Sequence, residues 1–311
     1  MRKLFLIPIV VCWFGCHTTT TPTNFWDSPD AYLGQKPPTD TPKEFAPGML
    51  AKKDTFSFDR VAFSKDGKEF YYPSSNTWFS PDPTKIRYFK YENGKWNGPF
   101  VLFAHYYAPT FSINDSTMYL EGGKGDGKHA FVYQSKRTAN GWSEPSVYLK
   151  TDFGLYDFMP TQSGTSYVGS NARQGNITDL NTYYFCELKI SGKDTLIKSL
   201  GPAINTPGFD GDFFVAPDES YMIVSAKEQK DFECELWISF HKTDKTWGAP
   251  VSLGSLINNG PAHRWGQYVS PDGKYLFYST GHSPKDCHVV WVRFDTLLAK
   301  LKKENLKNQT V

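Results

Sequence analysis

The sequence predicts an all-β fold: a single β-propeller of five four-stranded blades, its ring closed by an N-terminal strand and followed by a short C-terminal helix. Three observations predict it. A strand–turn–strand unit recurs five times, with equivalent positions at 64, 112, 161, 216 and 270, a spacing close to the ~40–50 residues of a four-stranded blade. The composition is aromatic and rich in turn formers, with 16% aromatic residues, 25 glycines and 21 prolines, which favours many short strands over helical packing. A second signature, Trp-x-x-Pro and a short apolar run, returns three times where an outer edge strand belongs.

The five units occupy residues 63–71, 111–119, 160–168, 215–223 and 269–277. Their chemistry is that of a tight hairpin. In Ser270-Pro271-Asp272-Gly273 the proline fixes φ, the aspartate caps its own turn and the glycine supplies a positive φ. The third unit is degenerate, lacking both the Asp and a following Trp-x-x-Pro. Third strands are expected at 85–91, 129–136, 181–190, 235–242 and 288–294, each an apolar-aromatic run. Outer strands follow Trp96-Asn97-Gly98-Pro99, Trp142-Ser143-Glu144-Pro145 and Trp247-Gly248-Ala249-Pro250. Proline suits an edge strand, where one missing donor costs little, and the tryptophans suit packing between blades. Six blades is the alternative count, should the stretch around the third unit hide another repeat.

The fifth unit has no outer strand after Phe294; residues 295–307 instead read as a short amphipathic helix with Leu297, Leu298, Leu301 and Leu306 near one face. The missing strand is therefore expected from the front, at residues 45–50, where it would remove the open edge of the last blade.

Upstream of that strand, residues 1–16 read as an export signal: Arg2 and Lys3, an apolar run to Phe14, then Gly15-Cys16. The run is too short for a stable membrane span. A small residue before a cysteine at this place resembles the lipobox of bacterial lipoproteins, which implies lipidation of Cys16. Trp13 and Phe14 are bulkier than that pattern usually carries. Residues 17–43, rich in Thr and Pro, are expected to form a flexible tether, and residues 44–311 the propeller.

Taken together, the Ser-Pro-Asp-Gly turns, the Trp-x-x-Pro strands and the Ile-Asn pairs at Ile204-Asn205 and Ile257-Asn258 resemble the WD-like, TolB-type propeller repeats of bacterial envelope lipoproteins. The resemblance covers residues 45–294. It implies a location in the cell envelope, periplasmic or at the cell surface, and it is specific for fold rather than function.

A site is expected where the residues preceding each inner strand crowd one mouth of the channel. Arg60, Tyr106, Tyr107, Tyr156, Asp157, Asp210, Asp212, Arg264 and Trp265 meet there as a ring of aromatics, acids and two arginines, a mixture suited to a polar ligand. The expected function is a binding module for an envelope protein or glycan. The alternative is a polysaccharide lyase or glycoside hydrolase using Asp157 and Asp212. The net charge of +2 and the lack of a basic stripe do not suggest nucleic acid as a partner. The seven histidines show no ligand spacing, so no metal and no cofactor are expected. Residues 121–127, rich in glycine, lack the phosphate-loop and EF-hand patterns and read as a connection. Cys186, Cys234 and Cys287 lie in apolar runs and read as buried small hydrophobes.

Overall fold

The computed structural model describes residues 24–51, 55–76, 84–126, 128–152, 154–171, 184–191, 194–206, 209–226, 233–283 and 286–308. Five antiparallel sheets are arranged as a five-bladed propeller. In blade 1 the inner strand is split into β2 (Phe56–Ser57) and β3 (Ala62–Phe63); both pair with β4 (Glu69–Ser75), followed by β5 (Lys85–Glu92) and β6 (Lys95–Ala104). Blade 2 holds β7 (Tyr106–Phe111), β8 (Thr117–Gly122) and β9 (Ala130–Thr138), edged by β10 (Gly141–Trp142) and β11 (Ser146–Thr151). Blade 3 runs through β12 (Gly154–Pro160), β13 (Ser166–Asn171), β14 (Phe185–Ser191) and β15 (Asp194–Ser199), so the degenerate third unit still builds a full blade. Blade 4 is β16 (Phe209–Val215), β17 (Tyr221–Ala226), β18 (Leu236–Phe240) and β19 (Val251–Ser252). Blade 5 is β20 (His263–Val269), β21 (Tyr275–Gly281) and β22 (His288–Arg293), completed by β1 (Lys43–Glu44) from the front of the chain.

The repeated turn is present in all five blades, with the full serine-capped chemistry in blades 1, 2 and 5. The serine hydroxyl donates to the turn Asp or Asn (Ser64 to Asp66, Ser112 to Asn114, Ser270 to Asp272) and accepts from the backbone N–H five residues on. The fourth position is left-handed in each: Gly67, Asp115, Gly164, Glu219 and Gly273 have φ between 59° and 83°. The Ile-Asn pairs also have a role. Asn205 accepts from Phe185 N and donates to Phe185 O and Ser199 Oγ, and Asn258 repeats this with Leu236 and Ser252. Ile204 and Ile257 are buried beside them. The pair thus ties the start of a third strand to the end of its outer neighbour.

Ring closure differs from expectation by a few residues. The closing strand is Lys43–Glu44, opposite Trp291 and Val290, rather than 45–50. Phe45 continues the contact through its N–H to Val289 O at 2.8 Å, but its ring is buried in the core and Ala46 turns the chain away with φ 48°. The tether expectation is corrected for residues 24–43. Trp26, Ala31, Tyr32 and Leu33 are buried with Phe63, Phe70, Phe277 and Trp291 in one cluster between blades 1 and 5. Trp26 Nε1 donates to Lys65 O (3.0 Å), Tyr32 OH to Asp272 (2.6 Å) and Lys274 pairs with Asp27. Three large side chains and an alanine buried within ten residues can bury enough surface to order a segment that Thr and Pro composition alone would leave extended. Residues 17–23, with Cys16, lie outside the described residues. The C-terminal helix, Asp295–Asn308, packs Leu301 and partly Leu297 and Leu298 on blades 4 and 5, while Leu306 is exposed.

The tryptophans pack between blades as expected. Trp142 of blade 2 donates to Tyr71 OH of blade 1 at 2.8 Å, and Trp247 of blade 4 meets Tyr167 of blade 3 edge-on. Trp96 of blade 1 donates to Asp30 O in the N-terminal segment, which thereby takes the place of a preceding blade. Replacing Tyr32 by Ala should cost about 3–5 kcal/mol in urea unfolding, the range for losing a buried aromatic side chain. Tyr32→Phe, which removes only the bond to Asp272, should cost about 1 kcal/mol.

Candidate functional site

Each inner strand is interrupted at the same level. The register slips between Tyr107 and Thr110, Tyr156 and Met159, Phe209 and Phe213, and Trp265 and Tyr268, and in blade 1 the strand breaks between Ser57 and Ala62. Asp59, Ala108, Asp157 and Gly266 there have φ of 63°, 47°, 55° and 63°. Such bulges re-aim side chains, here into the channel. Gly266 has to be glycine: a Cβ would sit 2.4 Å from the carbonyl carbon of Asp59, where blade 5 meets blade 1.

At this level Arg60, 1% exposed, crosses the channel. Its guanidinium forms an ion pair with Asp157 Oδ1 and donates to Thr110 Oγ1 (3.1 Å) and Phe213 O (3.3 Å). Asp157 Oδ2 accepts from Phe213 N at 3.0 Å, and Asp157 N donates to Glu121 Oε1 at 2.6 Å. Asp212 accepts from Gly266 N at 3.0 Å, and Asp59 from Arg60 N at 2.6 Å. Arg60 is the plug of the channel rather than a residue of its mouth.

Above the plug lies a cavity of about 600 Å³. Its walls are Phe58, Tyr107, Phe131, Tyr156 and Trp265, and its acids are Asp59, Glu121, Asp157 and Asp212. Trp265 is braced by the His263 ring at 4.5 Å, and Tyr156 lies so close over Gly169 that a Cβ there would meet its ring at 2.0 Å. At the rim His129 Nδ1 is 2.6 Å from Asp126 Oδ2. Burial pushes the Asp59 carboxyl up to about 6, with Arg60 opposing and Asp157 reinforcing the shift. Burial likewise raises Glu121 and Asp212 well above the usual carboxylate range, with the Asp157 charge adding to it.

Of the residues expected at the mouth, the structure brings Tyr107, Tyr156, Asp157, Asp212 and Trp265 together. Tyr106 turns the other way and packs on Phe103 and Tyr133, as alternation along a strand requires. Arg264 is also away from the cavity: its guanidinium donates to the carbonyls of Cys234, Ala262, Asn259 and Gly260 and is 3% exposed, so it shapes a loop. Asp210 falls within β16, and its side chain lies outside the described part of the structure. The three later cysteines are buried, but Cys234 is not simply an apolar filler, since its Sγ accepts from Arg264 N at 3.1 Å.

Glu121, Phe131 and His129 were not among the expected site residues: 121–127 read as a connection and 129–136 as a third strand. Hairpin pairing brings the end of the second strand back to the mouth where the inner strand begins. Tyr107 stands opposite Glu121, and Tyr156 opposite Gly169. The glycines after Glu121 were the available signal: a Cβ on Gly122 would lie 2.6 Å from His105 O, and one on Gly123 2.6 Å from the Tyr133 ring.

Chemically, the site is an aromatic-walled, acid-rich pocket. Both oxygens of Asp157 are committed, to Arg60 and to Phe213 N, which leaves it poorly placed as half of an acid–base pair. Among the described residues no three of His, Cys, Asp and Glu are grouped to hold a metal ion.

No family model matches this chain, and no curated protein does. Solved structures similar in fold include a TolB from Acinetobacter baumannii, at 13% identity and a TM-score of 0.41, covering 76% of this chain and 54% of that one. An auxiliary nutrient binding protein from Bacteroides thetaiotaomicron has 8% identity and a TM-score of 0.46, covering 80% and 63%. A puromycin-hydrolyzing peptidase from Mycobacterium tuberculosis has 12% identity and a TM-score of 0.41, covering 80% and 38%. The chain thus spans less than two thirds of the length of each.

The buried acids set an unusual pH dependence. A carboxyl that holds its proton more tightly in the folded chain than in the unfolded one stabilises the fold at low pH. That stabilisation is lost as pH rises through the folded value. With Asp59 titrating near 6 and Glu121 and Asp212 raised further, the melting temperature should rise by several degrees between about pH 7.5 and 5. In calorimetry, Glu121→Gln should melt higher than wild type at neutral pH, and the gap should close in acid; a gap independent of pH would contradict this account.

Proposed function

We propose that the chain is a cell-envelope lipoprotein whose propeller binds an envelope protein segment or glycan at the acid-rich mouth of its channel. The observation that carries the reading is the cavity itself: about 600 Å³, aromatic-walled, open at one end and plugged beneath by Arg60. A volume of this size, with a few convergent polar groups, is that of an ordinary ligand pocket. The reading as a lyase or glycoside hydrolase is weakened because Asp157 has no free oxygen.

Anchoring fits the same picture. Trp26 and its neighbours pack against the turn at Lys65 and Gly67, at the opposite end of the inner strands from the cavity. A lipid on Cys16, eight residues before Asn24, would hold that end within roughly 30 Å of a membrane and leave the mouth facing away.

Two experiments test this. Metabolic labelling with an alkyne fatty acid should tag the protein and lose the tag in Cys16→Ser; an equal signal in both would remove the lipid anchor. A photo-crosslinking residue at Tyr107 should capture an envelope component that the same residue at Phe100, exposed on an outer strand, does not; matching patterns at both positions would remove the mouth as the binding site.

A further inference from the structure

The mouth of the channel has a strong charge preference. It is lined by Asp59, Glu121, Asp157 and Asp212, and no Lys or Arg lines it among the described residues. Arg60 lies beneath, with its charge taken by Asp157 and donors used on Thr110 and Phe213 O. Glu121 is 8% exposed and borders the cavity. Its Oε1 accepts from Asp157 N, and its Oε2 has no hydrogen-bond partner among the described residues. A carboxylate oxygen left open toward a cavity, on a side chain otherwise buried, favours a ligand that donates to it, and a positively charged donor most.

The walls narrow the class further. Phe58, Tyr107, Phe131, Leu155, Tyr156 and Trp265 offer apolar and π surface, which suits a cation on an aliphatic stem. Beside the acids, the polar groups of the described lining are Thr84, two tyrosine hydroxyls, the Trp265 indole and His129 at the rim, few for the many hydroxyls of a sugar ring. Among the described residues the carboxylates form no group of three able to hold a metal ion, and their spread around the cavity fits a larger organic cation.

Resting on the channel-mouth reading above, we propose that this cavity receives the basic side chain, lysine or arginine, of a peptide segment. The stem lies against the aromatic walls and the charged tip reaches Glu121 and Asp212. Arg60 closes the floor, and entry is from the mouth.

The test titrates the full chain, by calorimetry at low salt, with capped pentapeptides of four glycines around a central lysine, arginine, citrulline or glutamate, and with the free-amine glucosamine trimer. The lysine and arginine peptides should bind at least about tenfold more tightly than citrulline, a uniform loss of which corresponds to removing one charge-assisted contact. Glu121→Gln and Asp212→Asn should each weaken that binding about fivefold or more while melting no lower than wild type, which separates lost binding from lost folding. The inference is overturned if citrulline matches arginine, if the glucosamine trimer binds more tightly than either basic peptide, if the acid variants bind like wild type, or if the basic peptides fail to bind at about 5 mM. The parent reading fails separately. A neutral or sugar probe whose binding disappears in Tyr107→Ala keeps the mouth as a site and removes only its charge preference. Basic peptides that bind regardless of Tyr107, Glu121 and Asp212 remove the mouth as well.

Discussion

The structure depends on one buried guanidinium. Arg60 belongs to blade 1, donates to Thr110 in blade 2, pairs with Asp157 in blade 3 and donates to Phe213 O in blade 4, while Gly266 of blade 5 packs against its backbone. A single residue thus meets all five blades at the axis, blades 2 to 4 through its side chain and blade 5 through its backbone. Net stabilisation is the weaker claim for such a pair, because burying both charges costs about as much as their attraction returns. The constraint it imposes is positional. With Arg60 in place, the surrounding carboxylates have a compensating charge, and each bulge must present its residue at one height. Without it, several buried acids would have to take up protons or the blades would have to separate.

The rest of the ring follows from how wedges pack. A blade's outer tryptophan rests on the blade before it, as Trp142 does on Tyr71 and Trp247 on Tyr167. Blade 1 has no predecessor in sequence, and the N-terminal segment supplies one: Asp30 receives Trp96, and Trp26 and Tyr32 fill the gap that faces blade 5. The seam is therefore densely aromatic: Phe45 meets Phe63, Phe277 and Trp291 edge to face within about 6 Å, geometry that aromatic rings prefer.

What was legible in the sequence was what repeats. Turn chemistry at 64, 112, 161, 216 and 270 located every blade, because a left-handed fourth position and a capping side chain are local requirements that leave local residues. The tolerance of that turn also explains the faint third unit: Gly164 alone keeps the needed φ when the Asp is absent. The seam was less legible, since Trp26 and Tyr32 sit in a stretch whose average composition is that of a linker, and only tertiary contacts reveal their worth. The site was half legible. Tyr107, Tyr156 and Trp265 followed from strand position, but Tyr106 and Arg264 did not, because neighbouring residues on a strand point to opposite faces. Glu121 was hidden because its place in the mouth comes from pairing with Tyr107 rather than from any pattern of its own.

The clasp between Lys43 and Trp291 has a consequence in time. The strand that seals the ring lies ahead of the blades in the chain, and its partner lies behind nearly all of them, about 250 residues later. Blades can collapse one after another from local hairpins, but the first and last cannot meet until the intervening chain is in order, since closing so long a loop has little reward beforehand. Synthesis or threading through a pore from the N-terminus would thus keep an aromatic-rich flap waiting for its dock. The last step of assembly is the one that hides Trp26, Tyr32 and Trp291 together, and a chain interrupted before it would display that surface to whatever is nearby.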